Sequence, residues 1–420
     1  MLAWIDRQQG RMLEMVRAWA RISSWSLDPA RLAAMHRAAS EAFASVGSVE
    51  RVPGGTRAAI GDDGRETTTP LGDAVRVRGG AGPAGSPRVL LGIHMDTVYP
   101  PSTEPPRVEL APDGAILRGP GVTDAKGGLV VMLVALESFT RFGPADRLRW
   151  EVFINADEEL GSPGSAPLLA EAAARNDVGL LFEPALDEAG TLAGARKGSG
   201  NFTVVIRGRA AHAGRHFAEG RNAVAAAARL ATACHALNDS GRGVTVNVAA
   251  LHGGEGFNVV PDLAVLRLNA RVATAAEADW LAARLAELVA EANAAAGFSA
   301  SLQGGFHCPP KPFDGPTRGL FDRVRACGDE LGLTLIAEPT GGVCDGNKLA
   351  AAGLPTLDTL GVRGGGIHSP DEYLVVASLA ERAKLTALVL ADLAERGLPA
   401  GVSNAGRGCP CQSSGIENRA

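Results

Sequence analysis

From Arg88 onward, short apolar runs alternate with longer amphipathic ones, and few folds satisfy that pattern. RVLLGI reads as a buried strand, GGLVVMLVALESFTRF as a helix, LRWEVFIN as a strand, APLLAEAAARN as a helix and VGLLF as a strand. Strands and helices in strict alternation build a largely parallel sheet covered by helices. The theme returns after residue 310, with RGLFDRVRACGDELG as a helix, LTLIAE as a strand, CDGNKLAAAG as a helix, PTLDTLGV as a strand and a closing helix from Val375 to Gly397. The two stretches are expected to share one sheet. Between them, NFTVVIRGR, NAVAAAARLATACHALN, VTVNVAALHG, LAVLRLNARV, AAEADWLAARLAELVAEANAA and FSASLQG follow the β-α-β-β-α-β order of a ferredoxin-like α+β sandwich. The fold class is therefore α/β, a mostly parallel sheet flanked by helices, with a ferredoxin-like domain inserted. Gly- and Pro-rich GARKGSG and HCPPKPFDGPT mark the junctions. The expected division is 1–195 and 311–398 for the interrupted domain, 196–310 for the insert, and 399–420 as a disordered tail.

Composition excludes several function classes. A chain of 420 residues with 46% hydrophobic side chains can bury substantial cores, and its length suits more than one domain. The net charge of -5 and the lack of a dense Lys/Arg stripe argue against a nucleic-acid partner. The longest apolar run, Leu129 to Leu136, is far short of the about 20 residues that span a bilayer, and MLAWIDRQQGRMLEMVRAW reads as an amphipathic surface helix rather than a signal segment. No membrane partner and a cytoplasmic location are expected. Cys234, Cys308, Cys327 and Cys344 are spread without metal-finger spacing and read as reduced thiols, and Cys409 and Cys411 fall in the tail.

The chemistry gathers where apolar strands end, which is where open α/β sheets form their crevices. His94 and Asp96 of LLGIHMDTVYP share one face of an extended segment, and a nearby carboxylate suits the orienting of a ligating imidazole. Asp124 of GPGVTDAKGG stands before a helix, as an N-cap or as a carboxylate between two metals. INADEELGS delivers Asp157, Glu158 and Glu159 together at the end of an apolar strand, an arrangement that repels itself unless cations or solvent compensate. Glu183 in LLFEPAL and His368 in GVRGGGIHSPDEY complete the group. Two imidazoles and three carboxylates, from His94, Asp124, Glu159, Glu183 and His368, make a ligand set suited to a pair of zinc ions.

HMDTV, GPGVTDAKGG, DEELGS, Glu183, RAAHAG and GGGIHSPDEY occur in an order that resembles the dinuclear zinc amidohydrolases: glutamate carboxypeptidase, acetylornithine deacetylase, succinyl-diaminopimelate desuccinylase and aminoacylase. The resemblance reaches to about residue 398 and implies a zinc-exopeptidase-like catalytic domain with a lid and dimerisation domain inserted. It implies two zinc ions (Zn2+) per subunit, with Co2+ or Mn2+ as substitutes. Asp124 would bridge them, His94 and Glu183 would hold one, and Glu159 and His368 the other. Asp96 would orient His94, and Glu158 would take a proton from the attacking water and pass it to the leaving amine. His212 of RAAHAGR resembles a histidine given across a homodimer to stabilise the oxyanion. Asn258 and Arg271 match positions that hold a substrate carboxylate, while Gly341 and Gly342 open a glycine-rich loop against the substrate. Cys344 stands where relatives carry Thr or Ser. The implied substrate is a peptide or N-acyl amino acid cleaved beside a free carboxylate, as in the glutamate carboxypeptidase branch. Glu183 favours that branch, since dipeptidase-like relatives often carry Asp there. A deacylase of the acetylornithine or succinyl-diaminopimelate type, or an aminoacylase, would share the ligands, and a catalytically inactive ligand-binding relative would have no need of Glu158.

Overall fold

A computed structural model describes residues 1–101 and 107–402. Its central sheet has six strands in the order Ser48–Val52, Ala74–Gly79, Arg149–Asn155, Arg88–His94, Val178–Leu181 and Thr356–Leu357. The last four run parallel, and Ala74–Gly79 is antiparallel to both of its neighbours. Register places His94 opposite Asn155 and Gly92 opposite Leu181, so three neighbouring strands end at one level. Side chains of Arg88–His94 beyond Arg88 are buried throughout, as strands covered on both faces require.

The helix Gly128–Phe142 lies in the core, with Leu129 through Leu136 fully buried. Gly128 permits its close approach, because a Cβ there would strike the carbonyl oxygen of Phe182. The N-terminal segment is two helices, Leu2–Arg7 and Gln9–Ala20, and their apolar face (Ile5, Met12, Val16, Trp19) packs into the same core. Among the described residues no helix is long and apolar enough to cross a membrane.

The inserted unit has its own sheet, in the order Thr245–His252, Leu263–Val272, Gly198–Arg207, Ser299–Cys308, antiparallel throughout. Taken in chain order its strands stand as 2-3-1-4, and the helices Ala223–His235 and Ala275–Ala294 complete the ferredoxin-like pattern. One face of this sheet (Phe202, Val204, Ile206, Leu266, Leu268) forms a separate core against those helices. The alternate residues, among them Ser199, Asn201, Asn269 and Arg271, point the other way.

Several elements differ from expectation. The run 333–338 does not form a strand along its length: the strand is Ala337–Thr340, and it pairs with Leu192–Arg196 in a separate two-stranded sheet. Leu335 is buried in the core, and a Cβ on Gly328 of the preceding helix would touch it, so this residue serves packing, while Ile336 O accepts from Leu192 N–H at 2.9 Å where the pairing begins. Of the later strands only Thr356–Leu357 joins the main sheet. Unanticipated elements include the strands Ser48–Val52 and Ala74–Gly79 and the hairpin Thr56–Ile60 with Glu66–Pro70. That hairpin leans on the inserted sheet, where Arg267 donates to Ile60 O at 3.1 Å and Arg207 to Gly64 O at 3.1 Å. Residues 403–420, with Cys409 and Cys411, lie outside the described residues; Cys234, Cys308, Cys327 and Cys344 are buried free thiols.

Candidate metal centre

Three parallel strands deliver the acidic and imidazole groups to one place. His94 ends its strand, Asp157 to Glu159 follow Asn155, and Glu183 follows Leu181 by two residues. Asp124 arrives from the turn before Gly128–Phe142. It is not an N-cap, since that position belongs to Gly127, and its carboxylate faces histidines instead. Oδ1 lies 2.9 Å from His94 Nε2, and Oδ2 lies 3.3 Å from His368 Nε2. One carboxylate thus presents a separate oxygen to each imidazole.

The remaining acids extend both sides. Glu183 Oε2 is 3.6 Å from His94 Nε2, and Glu159 Oε2 is 3.1 Å from His368 Nε2. Ligand atoms of His94, Asp124 and Glu159 all fall within 4.8 Å of one another. His94 Nδ1 is 3.0 Å from the Asp96 carbonyl and 3.4 Å from Asp96 Oδ1. That contact places a proton on Nδ1 and turns Nε2 toward Asp124 and Glu183. Asp96 also accepts from Ser26 Oγ at 2.7 Å and from the N–H groups of Glu158 and Glu159 at 3.3 and 3.2 Å. It therefore holds the acidic turn as well as the histidine.

The charges ask for cations. Burial pushes Glu158 well above the usual carboxylate range, and Glu183, Asp345 and Glu159 add to the rise while His94 opposes it. Burial likewise lifts Glu159 to about 7 and raises Glu183. Burial pulls His94 down, yet Glu183, Asp124 and Asp96 together hold it well above the imidazole range. Hydrogen bonds donated to Asp124 and Glu159 raise His368 to about 10. The two imidazoles balance part of this charge and Arg196 acts on Glu183, and a pair of dications would supply the rest through the ligand atoms of the imidazoles and carboxylates. The donor set thus fits a two-metal centre. His368 also adopts φ 60°, in the left-handed region that a non-glycine residue seldom occupies outside functional sites.

Other residues anticipated at the site sit as follows. Glu158, Arg271 and Gly342 line one cleft of about 560 Å³ with Asp124, Glu159, Glu183 and His368. Gly341 is exposed beside it. His212 and Asn258 are not among its lining residues. They lie together on an exposed ribbon of the inserted unit, where Ala211–His212 pairs with Val259–Val260 and Ala213 N–H donates to Asn258 O at 2.9 Å. Cys344 lines the cleft and caps the helix Asp345–Ala351, its sulfur accepting from Gly346 N–H at 3.3 Å. The sulfur performs the capping that a hydroxyl would.

Sequence reasoning missed Glu372. It is buried and accepts from the N–H groups of Gly121, Thr123 and Asp124 at 2.8, 2.8 and 3.0 Å. Tyr99 donates to it at 2.8 Å and to Ser369 O at 2.9 Å, which ties the His368 loop to the Asp124 turn. The acidic pair in SPDEY was the available signal, but nothing in the sequence distinguishes buried Glu372 from exposed Asp371. Asp157 accepts from Gly164 N–H and Ser165 N–H at 2.7 and 3.1 Å, and so supports the loop that follows the acids.

The family model for peptidase family M20/M25/M40 matches residues 90–392. Carboxypeptidase G2 of Pseudomonas sp. (strain RS-16) is 31% identical over 316 residues, covering 74% of each chain. The succinyl-diaminopimelate desuccinylase of Bordetella parapertussis is 30% identical over 332 residues, 74% of this chain and 85% of the relative. In fold, the chain is similar to a tripeptidase from Staphylococcus aureus (TM-score 0.70, 19% identity, 92% of this chain and 98% of that one). It is also similar to a dinuclear metal-binding M20 peptidase from Bacillus subtilis (TM-score 0.64, 15% identity, 93% and 99%). With its matched core and its strand-end cluster of acids and imidazoles, this chain belongs to peptidase family M20/M25/M40, and it is a hydrolytic metalloenzyme.

Proposed function

We propose that the chain cleaves an amide bond beside a free carboxylate, in a peptide or an N-acyl amino acid, in the manner of a glutamate carboxypeptidase. The observation that carries this reading is the make-up of the cleft, where carboxylates from the main sheet meet Arg271 from the inserted unit. Two zinc ions, or cobalt or manganese in their place, would be held by His94 and Glu183 on one side and Glu159 and His368 on the other, with Asp124 as the ligand shared between them. The ions supply Lewis acidity toward the scissile carbonyl and the attacking water. Glu158 accepts the water proton and returns it to the departing amine, a task suited to a buried carboxylate of raised proton affinity. Arg271 Nε donates to Asn269 Oδ1 at 3.3 Å while its Nη1 has no partner among the described residues, so guanidinium N–H capacity remains for a substrate carboxylate. Asn258, on the same exposed ribbon as His212, adds to that grip from the partner of a homodimer, and Gly341 and Gly342 let the substrate backbone pass.

Replacing Arg271 by Ala should raise KM for N-acyl amino acids at least about tenfold, the worth of a lost charged hydrogen bond. Amidated analogues should be nearly unaffected. Equal losses on both would remove Arg271 from carboxylate binding. A deacylase of the desuccinylase type draws support from the second relative, and a panel of N-acyl amino acids, dipeptides and N-succinyl amines assayed for amine release separates the two.

His212 acts in the partner's cleft of a homodimer. Gly214 N–H donates to its Nδ1 at 3.1 Å, which leaves Nε2–H as an outward donor for an oxyanion. Mixing inactive His212→Ala with inactive Glu158→Gln under subunit exchange should restore about a quarter of full activity, since half the dimers are hybrid and each hybrid has one intact site. No recovery despite exchange would place His212 outside catalysis in trans.

A further inference from the structure

The chain crosses between the main sheet and the inserted unit twice, at Arg196–Lys197 and at Pro309–Lys311. The crossings are bonded to each other, Arg196 N–H to Lys311 O at 2.9 Å and Lys311 N–H to Arg196 O at 3.0 Å. Beneath them, the fully buried carboxylate of Asp358 holds both. Arg196 grips it with Nη2 on Oδ1 at 2.9 Å and Nε on Oδ2 at 3.0 Å, and Lys311 Nζ reaches Oδ2 at 2.8 Å. Asn347, also fully buried, repeats the pattern on the backbone, donating to Lys197 O at 3.0 Å and Pro309 O at 2.7 Å. Gly346 leaves room for this arrangement, since a Cβ there would collide with Asp358.

Two cations and a carboxylate buried together are expensive to desolvate, and a connection that merely joined two domains would not need them. Arg196 also does something its ion pair does not require. Its Nη1 donates to Gly342 O at 3.2 Å, and its side chain lines the cleft beside Glu183. One guanidinium thus joins the crossings, the glycine-rich loop and the wall of the reactive cleft.

We propose that Arg196 is a positioning residue for hydrolysis: clamped by Asp358, it locks both crossings and the Gly342 loop in one register, and so sets Arg271 at a fixed place relative to Glu158. The kinetic consequence rests on the amide-hydrolase reading, whereas the mechanical one stands on the geometry alone. Arg196→Lys keeps the charge opposite Asp358 but cannot hold Asp358 by a fork and Gly342 at once. Asn347→Ala loosens the crossings, and with them the Cys344 N–H cap, while leaving the Arg196–Asp358 fork in place.

The test is hydrogen exchange of peptides covering 194–200 and 307–313, run beside kcat and KM on the substrate panel. Both variants should exchange at the crossings at least about tenfold faster, with protection of 88–94 and 149–155 unchanged. Arg196→Lys should also lower kcat at least about tenfold with KM within about threefold, because misplacement of about an ångström penalises the reacting geometry. Unchanged exchange at the crossings in Arg196→Lys would overturn the proposal, as would protection lost throughout the sheet, unchanged kcat, or a rise in KM alone. If wild-type protein cleaves none of the panel, the failure falls on the substrate reading, and the exchange data still decide the clamp.

Discussion

Glu158→Gln should lower kcat about a thousandfold, with bound metal unchanged and KM near that of the wild type. The substitution keeps the size of the side chain and removes only its capacity to take a proton. Glu158 has the two properties such a step needs. It lines the cleft beside Asp124 and Glu159, and burial together with the neighbouring carboxylates raises its affinity for a proton. Its position is fixed from behind, because Asp96 accepts its N–H while also contacting His94. The base and one imidazole are thus referenced to a single buried carboxylate, so the effect should appear in kcat. Turnover within about tenfold of wild type would remove Glu158 from proton transfer, and a parallel loss of metal would make it a ligand instead.

Much of this site was legible because its residues sit at the ends of apolar strands. RVLLGI, LRWEVFIN and VGLLF are buried, their period and composition say so, and the polar residues that follow have to emerge together on one edge of a parallel sheet. The inserted unit was legible for a similar reason, since each strand alternates between a face packed on helices and a face left open. What escaped was whatever depends on a partner distant in sequence. Glu372 is separated by 251 residues from the Gly121 N–H it accepts. Arg76 lies in AVRVRG, where it reads as a solvent-facing residue, yet it is buried against Glu151 at 3.2 Å. The strand Glu66–Pro70 is exposed at every position, so it carries no apolar alternation by which a strand could be recognised. Nothing in the run PTLDTLGV marks Asp358, and only the fold brings Arg196 and Lys311 onto it.

The second large effect is that of metal. His94, Asp124, Glu159, Glu183 and His368 gather three buried carboxylates around two imidazoles, and Asp124 presents one oxygen to each histidine. Removing metal should therefore abolish hydrolysis. Asp124→Ala should do the same by weakening both sites at once, whereas Glu183→Ala and His368→Ala should each weaken one. The direct test is to strip the wild-type protein with a chelator and titrate zinc back, following bound metal and amine release together. A two-metal centre requires an inactive stripped protein, two equivalents bound per chain with activity complete at the second, and no tight binding to Asp124→Ala. Full turnover in the presence of chelator, or saturation of both binding and activity at one equivalent, would contradict it.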